Sequence, residues 1–363
     1  MLLADNRDLY QRYLELAQLQ GYQETARPSY LAPIRFLPAE LRALFLVNVS
    51  LRLQTGSLAQ RRDALADLQN DLRLWRRVLT GDGRFEYKMV AVASLQGDYL
   101  LLADMIADPR TDLAAVSPDV QSLVPVFELG DWSIPRAFTA QYRAFSSDWV
   151  QTRYMYSGEW KPAPSSGDTP PRFWRSLGRA VESHYFQFNS TENLAAEQMD
   201  QLMAVARAAP SQFYALRDLA QNWERDNLTP YSVGGSYDPA SYVYEAHGIF
   251  GRWLHRHLNM ISAPVIFNPV GKVLVANSLA ANLPDFSLRA YDGAALQRLV
   301  KLGYEIRRRQ LGPSSIPAFL QQHPEWATHP VSGRPFLWNA GSSEIAVQTV
   351  ARQRAGSRFT VHV

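Results

Sequence analysis

The feature that most constrains the fold is a stripe of large apolar side chains between residues 58 and 79. Steps of three, four and seven residues separate its members, and such steps return to the same side of an α-helix. The stripe consists of Leu58, Leu65, Leu68, Leu72, Trp75 and Leu79. Charged residues occupy the positions between them, so the sequence predicts an amphipathic helix with a solvated face that carries Arg61, Arg62, Asp63, Asp67, Asp71 and Arg76.

Two further apolar segments flank this helix. Residues 39–54 are apolar almost all round, and residues 86–107 carry apolar side chains at helical spacing. Only short breaks separate the three segments, at Thr55-Gly56 and at residues 80–83, which contain two glycines. Short connections place consecutive helices side by side in opposite directions. The sequence therefore predicts an antiparallel bundle.

The helical pattern continues until the last thirty or so residues, which read as β-structure. Helices are predicted near residues 195–206, 213–223, 242–261 and 292–306, the last with Asp292 as its N-cap and Gly312-Pro313 as its stop signal. Short strands are predicted at residues 336–338, 344–350 and 358–363. The predicted fold class is mainly α, with a bundle-like body and a small C-terminal β-meander.

A segment rich in Pro, Ser and Gly between residues 157 and 171 is the best candidate for a linker. Before it, Phe138, Tyr142, Phe145 and Trp149 form an aromatic stripe at helical spacing, which favours a core-facing helix over a ligand groove. The predicted division is a helical bundle over residues 1–156, the linker over 157–171, a second helical region over 172–311 and a β-rich subdomain over 312–363.

Composition and motifs exclude several classes of function. The 363 residues have a net charge of only +3, which gives the chain no electrostatic reason to bind nucleic acid. Zero cysteines exclude disulfides, a thiolate nucleophile and cysteine-ligated metals. The sequence contains no phosphate loop, no dinucleotide-binding glycine motif and no nucleophile elbow, so we predict no cofactor.

The only cluster with metal-ligand residue types is Glu245, His247, His255 and His257. In a helix, His255 and His257 lie about 160° apart around the axis and cannot converge on one ion, so we predict no metal site. Acid–base catalysis requires only that two groups converge in the folded chain. On that alternative, Glu245 and His247 are the candidate catalytic residues.

Three stretches carry a resemblance to uncharacterised bacterial proteins that one N-terminal helix tethers to the inner membrane. Leu41–Ile106, with its Leu72–Leu79 run, resembles their Arg/Leu-rich helical hairpin. Phe267–Lys272 resembles their short junction that contains Asn and Pro. Leu296–Trp338 resembles their helix followed by two proline-containing segments. Together these stretches cover less than half of the chain.

The last stretch is also similar to the C-terminal layout of type II secretion pseudopilins, in which a helix and two proline-containing turns lead into strands. Here the turns are Ile316–Leu320 and His329–Phe336, with His329 where those proteins have an acidic residue. The long apolar N-terminal helix of a pilin is not part of the sequence, so the resemblance does not imply pilin assembly. It implies a location in the cell envelope and no activity.

The readable signal is structural rather than chemical. It favours a non-enzymatic binding or scaffolding protein of the bacterial cell envelope, with a protein partner and without nucleic acid. Two alternatives stay open: a hydrolase or lyase whose acid–base residues converge only in the fold, and a carrier of an apolar ligand, which the 9 Trp, 17 Tyr and 16 Phe suggest.

The resemblance also implies a location. We expect the periplasmic face of the inner membrane, with membrane association only through an N-terminal anchor that precedes this sequence. If Met1 is the native start, we expect a cytoplasmic protein instead.

Overall fold

The computed structural model describes a large part of the chain, which is mainly helical with a small C-terminal sheet. The described residues are 6–20, 39–83, 85–124, 129–132, 134–143, 146, 187–209, 211–228, 268, 272, 275–276, 283–351 and 357–363. Their order of elements confirms the predicted fold class.

Helices supply most of the described structure. A 3₁₀ turn covers Leu129–Trp132 and residues 135–143 are helical. The named helices are α1 (Arg7–Gln18), α2 (Ala39–Thr55), α3 (Leu58–Thr80), α4 (Phe85–Ala107), α5 (Leu113–Leu123), α6 (Phe188–Arg207), α7 (Phe213–Asn227), α8 (Leu283–Arg308) and α9 (Ile316–Gln322).

Local sequence signals fix the ends of α3. Ser57 and Gln60 form a reciprocal capping box at its first turn, which satisfies two backbone N–H groups that the helix itself cannot pair. At the other end, the fully buried ammonium group of Lys88 donates to the carbonyl oxygens of Val78 and Gly81. A cation at these carbonyls also suits the negative end of the helix dipole.

The stripe on α3 packs as predicted except at its start. Leu65, Leu68, Leu72 and Leu79 are buried, and Trp75 is only 3% exposed. The prediction that Leu58 packs in the core with the rest of the stripe is wrong, because Leu58 is 46% exposed. It lies in the first turn of α3, where burial against the neighbouring helices has not yet begun; the first buried residue of α3 is Ala64.

Helix α8 packs along α4 and joins the N-terminal bundle to the C-terminal sheet. One apolar core runs from Tyr13 in α1 to Val361 near the C-terminus. Glycine permits a close approach within it, because a Cβ on Gly293 would lie 2.5 Å from the Trp132 ring. The division of the chain at residues 157–171 stays a prediction, since that segment lies outside the described residues.

The start predicted for α8 is wrong. The helix begins at Leu283, so Asp292 lies in its third turn and is not an N-cap. Its side chain is buried and accepts hydrogen bonds from other segments of the chain. An aspartate before an apolar helical run has the same sequence pattern as a cap, whether its partners are local or distant.

The sheet confirms the three predicted strands. It consists of β1 (Leu337–Asn339), β2 (Glu344–Gln348) and β3 (Arg358–His362), antiparallel in that order. Leu337 pairs with Ala346, and Val347 pairs with Phe359. The alternate residues Phe359 and Val361 face the core.

One helix in the described part of the chain, α4, is long and apolar enough to cross a membrane. However, 61% of its apolar window is buried within the protein. It also carries Lys88 and Asp98, which are fully buried and bonded to α3 and α2. A core helix has the same length and composition as a membrane span, so α4 is weak evidence for one.

Candidate functional site

The sequence candidates for catalysis and metal binding lie outside the described residues. This applies to Glu245 and His247, and to His255 and His257. Their roles stay predictions. Among the described residues, no group of three or more His, Asp or Glu side chains is arranged to hold a metal ion.

A buried polar cluster instead lies where α1, α2, α3 and α4 meet. It consists of Tyr13, Arg42, Asp71, Trp75 and Asp98, one or two from each helix. The side chains of Asp71 and Asp98 have no exposed surface, and that of Arg42 is 16% exposed. We call these five residues the aspartate cluster.

Hydrogen bonds connect the aspartate cluster across all four helices. The Arg42 Nη2 group donates to Asp98 Oδ1 at 2.5 Å and also to the Ser94 carbonyl oxygen. The Tyr13 hydroxyl donates to Asp71 Oδ1 at 2.5 Å and accepts from Trp75 Nε1 at 3.2 Å. The guanidinium lies farther from Asp71, at 3.9 Å from its Oδ2. Arg42 is therefore bonded mainly to Asp98, and Tyr13 to Asp71.

A glycine makes room for the guanidinium. Gly97 precedes Asp98 on α4, and a Cβ there would lie 3.1 Å from Arg42 Nη1. That distance is shorter than most real Cβ contacts, so a side chain at this position would push the guanidinium away from Asp98. The small residue thus allows α2 and α4 to form the ion pair.

Two carboxyl groups in a dry site have abnormal proton affinities. Burial, and next the charge of Asp71, raise the pKa of Asp98 well above its ordinary value. Burial also raises the pKa of Asp71, against the opposing charge of Arg42. For Tyr13, burial and the adjacent Asp71 carboxylate raise the pKa, so its hydroxyl stays a donor.

The aspartate cluster is a correction to the sequence reading of α3. Asp71 was expected on a solvated face, yet it has no exposed surface. A signal existed: Asp71 lies three residues after Leu68 and four before Trp75, which is the spacing of the buried stripe. What periodicity does not provide is the identity of its partners, because Tyr13 and Arg42 come from other helices.

A second buried pair, His329 and Asp292, has the residue types of a catalytic dyad. The His329 Nε2 atom lies 3.1 Å from Asp292 Oδ1, and Nδ1 accepts the backbone N–H groups of Val331 and Ser332. Because Nδ1 is an acceptor, Nε2 carries the proton and donates to Asp292. Both ring nitrogens are occupied and the imidazole has no exposed surface. This pair stabilises the turn before the sheet and has no free nitrogen for proton transfer.

One small open pocket of about 60 Å³ lies between α2 and α4. Its polar lining includes Ser50, Gln54, Asp104 and Thr111. None of the residues of the aspartate cluster lines it. The pocket is smaller by several-fold than ordinary ligand sites of about 300 Å³ or more. It does not favour the apolar-carrier alternative.

In comparisons with known proteins, the chain matches no protein-family model, no curated protein and no solved structure.

Helix α7 carries one titratable residue that sequence reasoning missed. Burial raises the pKa of Glu224 to about 7. A carboxyl group that titrates near neutral pH is suited to acid–base chemistry. Periodicity did not indicate it, because the exposed fraction of a polar residue near the end of a helix depends on what packs over it.

Proposed function

We propose that this chain is a non-enzymatic binding or scaffolding protein of the bacterial cell envelope that acts through a protein partner. The observation that carries the proposal is the outward face of α2. The enzyme and carrier alternatives are less favoured by the described residues, in which both buried polar pairs are closed to a substrate.

The outward face of α2 is apolar where a solvated helix is normally charged. Ala43, Val47 and Leu51 follow one another at four-residue steps and all three are exposed, Val47 by 55%. Residues 43–51 contain no charged side chain at all. A helix that is apolar all round is typical of one that is buried on every side. We call these three residues the α2 ridge.

The arginines that flank the α2 ridge are turned away from it into ion pairs. Arg42 bonds to Asp98 on α4, and Arg52 bonds to Asp67 on α3 at 2.5 Å. Their charges are therefore neutralised within the bundle. Two such surfaces can meet without repulsion between like charges.

The occupant we assign to the α2 ridge is a second copy of the same ridge. Ridges of residues at four-residue steps pack into the grooves of a like helix at a crossing angle of about 50°. A two-fold axis at Val47 places the small Ala43 of each copy opposite the larger Leu51 of the other, which is the self-complementarity that an isologous dimer requires.

Sedimentation equilibrium of the purified chain tests this proposal. We expect a dimer whose dissociation constant rises at least a hundredfold in Val47→Glu, because the new charge would be buried at the two-fold axis. The matched control is Leu219→Glu on α7, where the leucine is 58% exposed and directly follows the charged residues Arg217 and Asp218. It should leave the dimer intact.

Three results overturn the dimer. The first is a wild-type chain that stays monomeric at the highest concentration reached. The second is a Val47→Glu chain that dimerises as tightly as wild type. The third is an equal loss of dimer in Val47→Glu and Leu219→Glu. Circular dichroism of each variant establishes that it is folded.

The envelope location rests on the resemblance and has its own test. Fractionation of cells that express the native gene should place the product in the inner-membrane fraction, released only by detergent. A product found wholly in the cytosol that starts at Met1 contradicts the location and the anchor, and leaves the dimer test unaffected.

A further inference from the structure

We propose that Asp71 and Asp98 form a proton-binding site in which one proton is shared between the two carboxyl groups, and that loss of this proton weakens the docking of α1. This goes beyond the proposed scaffolding function and does not depend on it.

The charge balance of the aspartate cluster requires one proton. Arg42 contributes the only positive charge, while Asp71 and Asp98 contribute two negative charges when both are ionised. An uncompensated charge in a site without exposed surface is strongly unfavourable. One bound proton makes the three side chains neutral together.

The hydrogen bonds leave a place for that proton. The Oδ1 atoms accept from Tyr13 and from Arg42, whereas each Oδ2 atom is buried and receives no hydrogen bond from an N–H or hydroxyl group. The two carboxyl groups lie within hydrogen-bonding range of each other. A proton on either Oδ2 atom turns that oxygen into a donor toward the other carboxyl group. The directions of the two pKa shifts agree with this arrangement.

The other polar groups around the site are already paired. From α2 and α3, Arg52 and Asp67 form an ion pair with each other. From α1, the Tyr10 hydroxyl donates to Asn48. On α4, the charged neighbour that faces Asp71 is Asp98 itself. Among the described residues, Arg42 is thus the one positive charge available to two carboxylates, and it can neutralise only one of them.

Helix α1 depends on this site because Tyr13 is its main buried contact. Tyr13 is 2% exposed, its ring centroid lies 5.4 Å from that of Phe45, and its hydroxyl bonds both to Asp71 and to Trp75. When the proton leaves, two adjacent carboxylates repel each other in a dry site, and withdrawal of Tyr13 lets water reach Asp71 and solvate its charge. We therefore expect α1 to undock before the rest of the bundle opens.

The sign of the pH dependence follows from the raised pKa. An unfolded chain releases this proton near the ordinary aspartate value of about 4. The folded chain retains it to higher pH, so stability is greatest at low pH and falls as pH rises to the folded pKa. Within that window, the unfolding equilibrium constant should grow by up to tenfold per pH unit.

Infrared spectroscopy tests the shared proton directly. A protonated carboxyl group has a carbonyl band distinct from that of a carboxylate. At pH 7 the wild-type chain should show a stronger band than Asp98→Asn or Asp71→Asn, which keep only the contribution of Glu224. The control is Asp63→Asn, which changes an exposed aspartate on α3 and should leave the band unchanged. A wild-type band equal to that of both cluster variants overturns the proposal.

Variant stability provides a second, independent test. Either single Asn substitution keeps one carboxylate for Arg42, so each should fold. Between pH 5 and 9 each should show a smaller pH dependence of stability than wild type, because only Glu224 continues to titrate there. The double variant leaves Arg42 without a charged partner and should lower the melting temperature by more than the sum of the single changes. Additive effects, or wild-type pH dependence in both single variants, contradict the shared proton.

Hydrogen exchange tests the consequence for α1. Protection of amides in residues 7–18, corrected for intrinsic exchange, should fall by about tenfold or more from pH 6 to pH 9 in the wild-type chain and stay constant in Asp98→Asn. Equal pH dependence in the two chains would refute the coupling to α1.

Discussion

Asp98 in α4 and Asp292 in α8 are both buried, but they differ in how many donors reach them. Asp292 Oδ1 accepts from His329 and from the Val350 amide, and its Oδ2 accepts from the Ala351 amide. Asp98 Oδ1 accepts from Arg42, while its Oδ2 receives no N–H or hydroxyl donor. Asp292 therefore accepts hydrogen bonds at both carboxylate oxygens, whereas Asp98 accepts them at only one.

This difference teaches that burial alone does not define the role of a carboxylate. Three donors reach Asp292: His329 lies in the turn before β1, and the Val350 and Ala351 amides follow β2. They connect α8 to both segments. A carboxyl group with too few donors stabilises its charge poorly and retains a proton more readily. The first arrangement is suited to holding a fold together, and the second to binding a proton.

The largest expected effect is in the packing around the aspartate cluster. Trp75→Ala should destabilise the chain by about 3 to 5 kcal/mol, because the indole is buried and its removal leaves a cavity among leucines. Urea melts measure it through the midpoint of unfolding. A loss below about 1 kcal/mol would show that this face of α3 does not depend on close packing.

A smaller effect is expected at the pair of Asp292 and His329, from Asp292→Asn. The new amide nitrogen would face an N–H group that now donates to the carboxylate, so two donors would oppose each other. We expect the free energy of unfolding to fall by about 2 to 3 kcal/mol. Asp98→Asn should cost less, because its amide can donate to Asp71. The comparison between the two aspartates fails if urea melts at pH 7 give Asp98→Asn the larger loss.

The smallest expected effect comes from Tyr13→Phe, which keeps the ring and removes the hydroxyl. Asp71 loses a donor and Trp75 loses an acceptor, so we expect a loss of about 1 to 2 kcal/mol. Thermal melts at constant pH measure it. Leu19→Ala, which shortens a side chain that is 56% exposed directly after α1, is the control and should have little effect. If Tyr13→Phe is as stable as wild type, the Tyr13 hydroxyl does not contribute to the docking of α1.

The aspartate cluster could not be assembled from the sequence, although its parts are visible there. The helices that carry Arg42, Asp71 and Asp98 were predicted with bounds close to those observed, because periodicity and glycine breaks act locally. The burial of Asp71 could have been inferred from the spacing of Leu68 and Trp75. The contact of Asp71 with Tyr13 could not, since 58 residues separate them.

The sequence by itself determined the mainly helical class, the three helices from residue 39 to residue 107 and the C-terminal meander. Apolar periodicity, capping residues and turn residues act over a few positions, so the sequence alone is enough to identify them. Only the tertiary structure decided which charged residues are buried and how many donors each receives. Burial of a charge depends on the partners that distant helices bring to it, and those partners determine whether the carboxyl group holds a proton or stays ionised.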